Sequence, residues 1–356
     1  MGHLLLAVPT ILIGILMASN AGSGRAEPRL AAIARAQVWR PTDVARMDIR
    51  TGPDGPGAFP YLATVQCDYA DKELGGGSPK FACRVPPDDE VKVKFGGANG
   101  EVYAEVAATR LLWALGFGAD RMYPVRIVCR GCPKQLAGIA RRDGETYLFD
   151  PAVIERKMEG AEFPGKEGWA WRELDLVDEQ AGGAPRAHRD ALKLLAVMIQ
   201  HTDSKPEQQR LACLGEDGKR KSEITCERPF MLLHDVGVTF GRASRSNANR
   251  TSSMNLAAWS RTPVWKPGTD ACIGNLPKSN TGTLENPVVS EEGRRFLADL
   301  LLQLTNRQLY DLFTVSRVTL RVRSAEDVRS GFPTVDEWVR AFKDKRDQIV
   351  NRRCER

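Results

Sequence analysis

A short run in the middle of the chain carries residues that could act on a hydroxyl group and a metal ion. It reads His201-Thr-Asp-Ser-Lys-Pro-Glu-Gln208 and follows an apolar stretch. An aspartate at the start of such a loop, here Asp203, can accept the proton of an attacking hydroxyl group. Five residues later Gln208 offers an amide oxygen, and Mg²⁺ prefers oxygen ligands. The spacing therefore predicts a loop that combines a catalytic base with a metal-binding oxygen.

A second carboxylate stands at the end of the apolar run Phe230-Met-Leu-Leu-His-Asp-Val-Gly237. The run is typical of a buried strand, which places Asp235 at the strand end beside a glycine. A carboxylate in that position can meet a metal ion that bridges two phosphates. Asp235 is therefore the predicted metal ligand, with Gln208 as the second.

A lysine and a glutamate precede these two loops in the chain. Lys94 ends the run Val91-Lys-Val-Lys on a predicted strand, and Glu105 follows eleven residues later on a predicted helix. An ion pair between them would hold the positive charge of the lysine against the α- and β-phosphates of a nucleotide. Each residue also has a plain alternative, because an isolated lysine or glutamate is usually a solvated surface residue.

The four signals occur in the order lysine, glutamate, aspartate, aspartate, and protein kinases have the same order. The chain resembles one branch in particular, the secretory-pathway kinases of the Golgi casein kinase family. HipA-type kinases and type II phosphatidylinositol kinases share a looser version. The resemblance is carried by Ala104-Glu-Val-Ala-Ala-Thr-Arg-Leu-Leu-Trp-Ala-Leu-Gly-Phe117, Tyr123-Pro-Val125 and Leu233-His-Asp-Val-Gly-Val-Thr-Phe-Gly241.

The resemblance implies a two-lobed α+β protein-kinase-like fold, with a β-rich N-lobe that carries one main helix and a mostly helical C-lobe. It also implies transfer of the γ-phosphoryl group of ATP, or another nucleoside triphosphate, with Mg²⁺ or Mn²⁺. The expected acceptor is a hydroxyl group, with a protein favoured over a glycan or a lipid head group.

The roles of the family's residues carry over to matching positions of this chain. Lys94 would bind phosphates, and Glu105 would orient that lysine or reach the metal. Asp203 would be the catalytic base, and Asp235 would bind the metal. The remaining residues of the predicted nucleotide site are the turn Gly75, Gly76 and Gly77, followed by Lys80, and Lys205.

One departure and several structural alternatives accompany this interpretation. The family has an acidic residue or asparagine where Gln208 stands, which favours a pseudokinase that acts as an interaction module, with or without a bound nucleotide. A disulfide-rich structural protein is a third class. Taken alone, Asp203 could cap a helix, His201 could be a core histidine, and Asp235 could belong to a plain turn.

The spacing of apolar residues predicts the strands and helices that carry these candidate residues. A period of two predicts strands at 61–69, 80–85, 90–95, 123–129 and 146–158. Steps of three and four predict helices at 100–116, 186–201 and 290–314. The stretch 242–285 is rich in Ser, Asn, Gly and Pro and is predicted to be a functional loop. The predicted domains are a signal peptide at 1–26, a flexible arm at 27–60, an N-lobe at 61–158 and a C-lobe at 159–356.

Composition limits the class of protein. With 42% hydrophobic and 27% charged residues the chain is globular, and its net charge of +6 is too scattered for a nucleic-acid interface. The apolar run 4–17 fits a secretory signal peptide better than a membrane span, with an uncleaved anchor as the alternative. Beyond that segment no stable membrane span is expected, and the predicted location is periplasmic or secreted.

Eight cysteines lie beyond the signal segment, an even number that suits an oxidising compartment. Their spacings suggest the pairs Cys67 with Cys83, Cys129 with Cys132, Cys213 with Cys226, and Cys272 with Cys354, although spacing cannot prove connectivity. The Cys-Arg-Gly-Cys turn could also be a redox pair or half of a metal site. A structural disulfide is favoured because no second such pair is present to complete a zinc site.

Overall fold

The structure is a computed structural model that describes residues 29–134, 136, 141–143, 146–163, 168–215, 226–243, 253–321 and 331–354. It is a mixed α/β protein. The nine described strands are β1 (Thr64–Ala70), β2 (Lys80–Val85), β3 (Asp89–Phe95), β4 (Arg121–Arg130), β5 (Arg141–Asp143), β6 (Thr146–Arg156), β7 (Ala161–Glu162), β8 (Gln209–Cys213) and β9 (Pro229–Leu233). The seven described α-helices are α1 (Arg29–Ala34), α2 (Glu101–Ala114), α3 (Arg186–Met198), α4 (Leu256–Arg261), α5 (Glu291–Leu302), α6 (Asn306–Val315) and α7 (Val335–Asn351).

Five of the strands close into a barrel. The sheet order is β3-β2-β1-β4-β6, and β3 also pairs with β6, which completes the ring. Strands β1 and β4 run parallel, and the other pairs in the ring are antiparallel. Inward-facing apolar residues fill the interior, among them Phe81, Phe95 and Phe149, whose ring centroids lie 4.8–5.4 Å apart. The five strands lie where the alternation of apolar and polar residues predicts them, but the positions of strands in the sequence do not predict that the sheet closes into a barrel.

A second part of the chain is mostly helical and carries a small sheet of β7, β8 and β9. Helix α3 packs on α5, and α7 packs on α4, α5 and α6. The predicted helix over 290–314 is two helices, because the hydroxyl of Thr305 accepts a hydrogen bond from the backbone N–H of Gln308 and starts α6 anew. None of the helices among the described residues combines the length and the apolar character that a bilayer crossing needs.

Helix α2 connects the two parts. Its sequence pattern predicts a single apolar stripe, yet all but two of its 14 residues are buried. The reason is that β4 and β6 of the barrel cover part of its surface and α6 covers another. A polar residue within α2 is therefore mostly enclosed by protein: Glu105 is fully buried, and Glu101 in the first turn is half-buried.

The stretch before the barrel is packed over much of its length. Ala32, Ile33, Ala36, Val38 and Val44 are fully buried in the core of the helical part. These five residues, which lie within the predicted flexible arm at 27–60, are docked on the helical part. Each buried apolar side chain stabilises that docked segment. The predicted signal peptide lies outside the described residues, and the boundaries at 60/61 and 158/159 stay predictions.

All four predicted disulfides are present. They join Cys67 to Cys83, Cys129 to Cys132, Cys213 to Cys226 and Cys272 to Cys354, and no free cysteine is found among the described residues. The Cys-Arg-Gly-Cys turn thus holds a disulfide, as the favoured interpretation states. Four such bonds fit an oxidising environment.

The disulfides differ most in the length of chain that they close, which predicts unequal contributions to stability. The Cys272–Cys354 bond spans 82 residues and the Cys129–Cys132 bond spans three. Replacing both members of a pair with serine should lower the free energy of unfolding by about 4.5 kcal/mol for the first pair and about 1.6 kcal/mol for the second, on loop entropy alone. Denaturant unfolding followed by tryptophan fluorescence measures both losses.

The variant that replaces Cys129 and Cys132 is also the control. Its cysteines are buried like those of the first pair, so the free-energy cost of burying two serine hydroxyl groups is similar in both variants. Equal losses in the two variants would show that loop closure does not set the difference.

Candidate functional site

The centre of the site is a buried lysine held by two carboxylates. Lys94 lies near the end of β3, and its Nζ donates hydrogen bonds to Glu105 and, at 3.0 Å, to Oε2 of Glu101. The Lys94 side chain is 3% exposed and the Glu105 side chain is fully enclosed. The predicted contact between Lys94 and Glu105 is therefore present, and neither residue is the solvated surface group of the alternative interpretation.

Glu101 is the residue that the motif analysis overlooked. It lies in the first turn of α2, one turn before Glu105, so both side chains project from the same face of the helix. The spacing of four residues on the predicted helix is the signal that could have found it. Glu101 also packs against Gly237, where an added Cβ would lie 2.4 Å from its Cγ. A glycine is thus required where the loop after β9 meets α2.

Asp235 brings that loop to the same cluster. Its Oδ1 accepts the backbone N–H of Gly237 at 3.0 Å. Burial acts to raise the pKa of Asp235, but the charge of Lys94 and the Gly237 hydrogen bond outweigh it and lower that pKa. In turn, burial acts to lower the pKa of Lys94, but Asp235, Glu105 and Glu101 outweigh it and raise the lysine pKa well above its usual range. Asp235 is thus ionised beside a permanently charged ammonium.

Glu105 behaves differently from Asp235. Burial raises its pKa well above the usual range, against the opposing charge of Lys94. Its Oε2 is buried and accepts no hydrogen bond from the described residues. Glu105 is therefore the carboxyl group of the cluster whose charged form burial disfavours most, although Lys94 lies beside it.

The loop that carries Asp203 is joined to Asp235 through Gln208. The side-chain amide of Gln208 donates to Oδ2 of Asp203 at 3.0 Å. Its backbone carbonyl accepts the N–H groups of His234 and Asp235 at 2.8 and 3.1 Å. Burial raises the pKa of Asp203. Gln208 thus fixes Asp203 beside the carboxylate cluster, and its predicted role as a metal ligand stays a prediction.

Two further lysines of the predicted set occupy different places. Lys80 pairs with Lys94 across β2 and β3, and burial, followed by the charge of Lys94, lowers the pKa of Lys80. Its Nζ lies over Gly76, where an added Cβ would be 2.8 Å away, while Gly75 and Gly77 have open space around them. Lys205 instead lies near Asp203, with 3.9 Å between its Nζ and Oδ1, and is 41% exposed.

His201 is a core residue rather than a reactive one. It is fully buried, neither of its ring nitrogens has a hydrogen-bond partner among the described residues, and its ring lies 6.2 Å from that of Trp171. Burial lowers the pKa of His201 to about 4. The imidazole is therefore neutral at pH 7.

This lowered pKa predicts a specific pH dependence of stability. The unfolded chain binds a proton at this site below pH ~6.5, whereas the folded chain does so only near pH 4, so stability is complete above pH ~6.5 and falls as the pH decreases between these values. The loss should reach roughly 3 kcal/mol at pH 4. The free energy of unfolding is measured against pH for the wild type and for His201→Leu, and the difference between the two isolates this contribution. Parallel pH dependences in the two proteins would contradict it.

Comparisons with known proteins add little to this geometry. No protein-family model matches the sequence, and no curated protein is similar to it. Among solved structures, the crystal structure of a Helicobacter pylori proinflammatory kinase, CtkA, is similar at 10% identity with a TM-score of 0.38, over 81% of this chain and 95% of that chain. A similarity of that size supports no functional conclusion. The fold and site define a mixed α/β protein with a closed barrel and a buried lysine-carboxylate cluster.

Proposed function

We propose that this protein binds a nucleoside triphosphate with a divalent cation and transfers the γ-phosphoryl group to a hydroxyl acceptor. The observation that carries the proposal is the convergence of three sequence-distant segments: Lys94 and Glu105 meet Asp235, and Gln208 joins Asp203 to them. A cation for phosphates, carboxylates for a metal and a separate carboxylate for the acceptor are the parts that phosphoryl transfer needs. In this proposal the barrel with α2 is the N-lobe of a kinase-like fold, and the helical part is the C-lobe.

The residues present fit Mg²⁺ or Mn²⁺. Asp235 and Glu101 offer hard carboxylate oxygens, which these ions prefer, and Glu105 would do so in its ionised form, since a metal ligand must be deprotonated. Glu105 Oε2 is a buried oxygen that accepts no hydrogen bond from the described residues. These carboxylates would hold the ion, which supplies positive charge to neutralise the phosphates when it is bound.

The protein's own residues would perform the remaining steps. Lys94, held in place by Glu101 and Glu105, binds the phosphate oxygens. The acceptor oxygen attacks the γ-phosphorus, the bond from phosphorus to the β,γ-bridging oxygen breaks, and Asp203 takes the acceptor's proton. Its raised pKa makes Asp203 a better base than an ordinary aspartate. Gln208 keeps that carboxylate in place through its amide hydrogen bond.

Ligand-dependent thermal unfolding tests the proposal. ATP or GTP with Mg²⁺ or Mn²⁺ should stabilise the purified protein, by about 2.7 kcal/mol at 100 times the dissociation constant. Samples with nucleotide and a metal chelator provide the control, because binding should depend on the ion. The absence of any shift with either metal at millimolar nucleotide would contradict the proposed site.

A nucleotide-binding module without turnover is the second candidate. It is favoured by Gln208, whose amide is engaged with Asp203. Metal-dependent stabilisation by nucleotide without phosphate transfer to any acceptor would identify it. For either candidate we propose a periplasmic or secreted location, which the four disulfides support, and a protein as the acceptor or partner.

A further inference from the structure

An open cavity of about 400 Å³ is not used by the mechanism, and two of its lining residues adjoin the proposed site in the chain: His234 precedes Asp235, and Lys92 is two residues before Lys94. Its size falls within the range of small-molecule sites. It lies between the glycine turn, the barrel strands β2, β3 and β6, and the loop that leads to Asp235. The lining includes Leu74, Ala82, Lys92, Glu155, Lys157 and His234.

The strand register relates this cavity to Lys94. Across β2, β3 and β6, one row of paired residues is Lys80, Lys94 and Val153, and the row two residues away is Ala82, Lys92 and Glu155. Residues two apart on a strand face the same side and are roughly 7 Å apart. A nucleotide whose phosphates contact Lys94 and Lys80 and which extends along these strands toward the cavity would therefore reach the row of Lys92 and Glu155.

This second row presents two opposite charges to the cavity. Lys92 Nζ and the Glu155 carboxylate form an ion pair, with side chains 28% and 7% exposed. The small side chain of Ala82 completes the row. A lysine ammonium only donates hydrogen bonds and a carboxylate only accepts them. The neighbouring carboxylate of Asp120 is held by Arg210 at 2.7 Å and His234 at 2.5 Å. Glu155, paired with Lys92, is the carboxylate that lines the cavity together with that lysine.

We propose that Lys92 and Glu155 read the base of the nucleotide and select guanine over adenine. This inference rests on the proposed function. The Watson–Crick edge of guanine places one acceptor, O6, next to two donors, N1–H and the N2 amino group. Lys92 can donate to O6, while Glu155 can accept from both donors, one with each oxygen. A lysine contact with guanine O6 is a common specific pairing in nucleic-acid recognition.

Adenine and the pyrimidines would make fewer hydrogen bonds with Lys92 and Glu155 than guanine. Adenine offers only one donor, its 6-amino group, beside N1, so Glu155 would accept one hydrogen bond fewer than with guanine. Cytosine and uracil likewise present a single donor on that edge. Each hydrogen bond to a carboxylate adds binding free energy, so the second guanine donor should decide the preference.

Titration calorimetry with the whole protein and Mg²⁺ tests the inference with four probes: GTP, ITP, ATP and tripolyphosphate. GTP should bind roughly tenfold or more tightly than ATP. ITP, which lacks the 2-amino donor, should bind more weakly than GTP, and tripolyphosphate should bind more weakly than any of the nucleotides. Equal affinities for all three nucleotides would overturn the inference while leaving the proposed function intact. No binding of any probe would instead overturn both.

Single substitutions distinguish recognition of the base from electrostatic attraction of the phosphates. Glu155→Gln should reduce the preference for GTP over ATP to near unity while tripolyphosphate affinity stays unchanged. Lys92→Met is a second variant, should Glu155→Gln fail to fold, and should reduce the same preference. The matched control is Glu90→Gln, at the rim of the same cavity, where Glu90 pairs with Lys72 at 2.5 Å and both are well exposed. An unchanged preference in Glu155→Gln and Lys92→Met, or a reduced one in Glu90→Gln, would overturn the assignment.

Discussion

Replacing Asp235 with asparagine is expected to abolish metal-dependent nucleotide binding and phosphate transfer together. Its carboxylate is kept ionised by Lys94 and by the N–H of Gly237, and the proposed ion depends on that charge. Stabilisation of the variant by nucleotide with Mg²⁺ should fall to zero in thermal unfolding, and transfer of labelled phosphate should be undetectable.

The fold should survive this substitution. Glu101 and Glu105 continue to hold Lys94, so no buried charge is left unpaired. Asp270→Asn, an exposed aspartate in a loop of the helical part, is the matched control and should behave as the wild type. A variant Asp235→Asn that still binds nucleotide in a metal-dependent manner would exclude Asp235 as the principal ligand.

Removing the Asp203 carboxylate should have the opposite profile. Asp203→Ala is expected to lower turnover by roughly 10²- to 10⁴-fold while nucleotide affinity stays near normal, because the carboxylate acts on the acceptor hydroxyl alone. Single-turnover phosphate transfer and calorimetric affinity measure the two quantities separately.

The contrast between the two variants distinguishes the enzyme from the binding module. A loss of affinity in Asp203→Ala would assign this carboxylate to the nucleotide or the metal rather than to the acceptor. If the wild type binds nucleotide but transfers no phosphate to itself, to protein acceptors or to water, the module becomes the better description.

Local pattern predicted much of the secondary structure and the disulfides. The alternation of Val91, Val93 and Phe95 with lysines marks β3 because side chains on a strand face alternate sides. The pairing of Cys67 with Cys83 follows from a short separation across one hairpin. The contact between Lys94 and Glu105 was predicted from the kinase-like order of the motifs, and it is present.

Long-range pairing could not be predicted in the same way. Closure of the barrel depends on the register of β3 against β6, whose sequences are more than 50 residues apart. The same register places Glu155 beside Lys92, a contact that no motif contains. The all-round burial of α2 likewise depends on which elements pack against it.

The sequence by itself determined the candidate residues for the proposed chemistry, since Lys94, Glu105, Asp203 and Asp235 are marked by type and spacing within short segments. Only the tertiary structure decided that Glu101 joins Lys94, that Gln208 holds Asp203, and that Lys92 pairs with Glu155 on the neighbouring strand. The physical reason is that hydrogen bonds and ion pairs of this kind depend on distances of about 3 Å. Such distances are set by strand register and helix packing, which no local window of sequence contains.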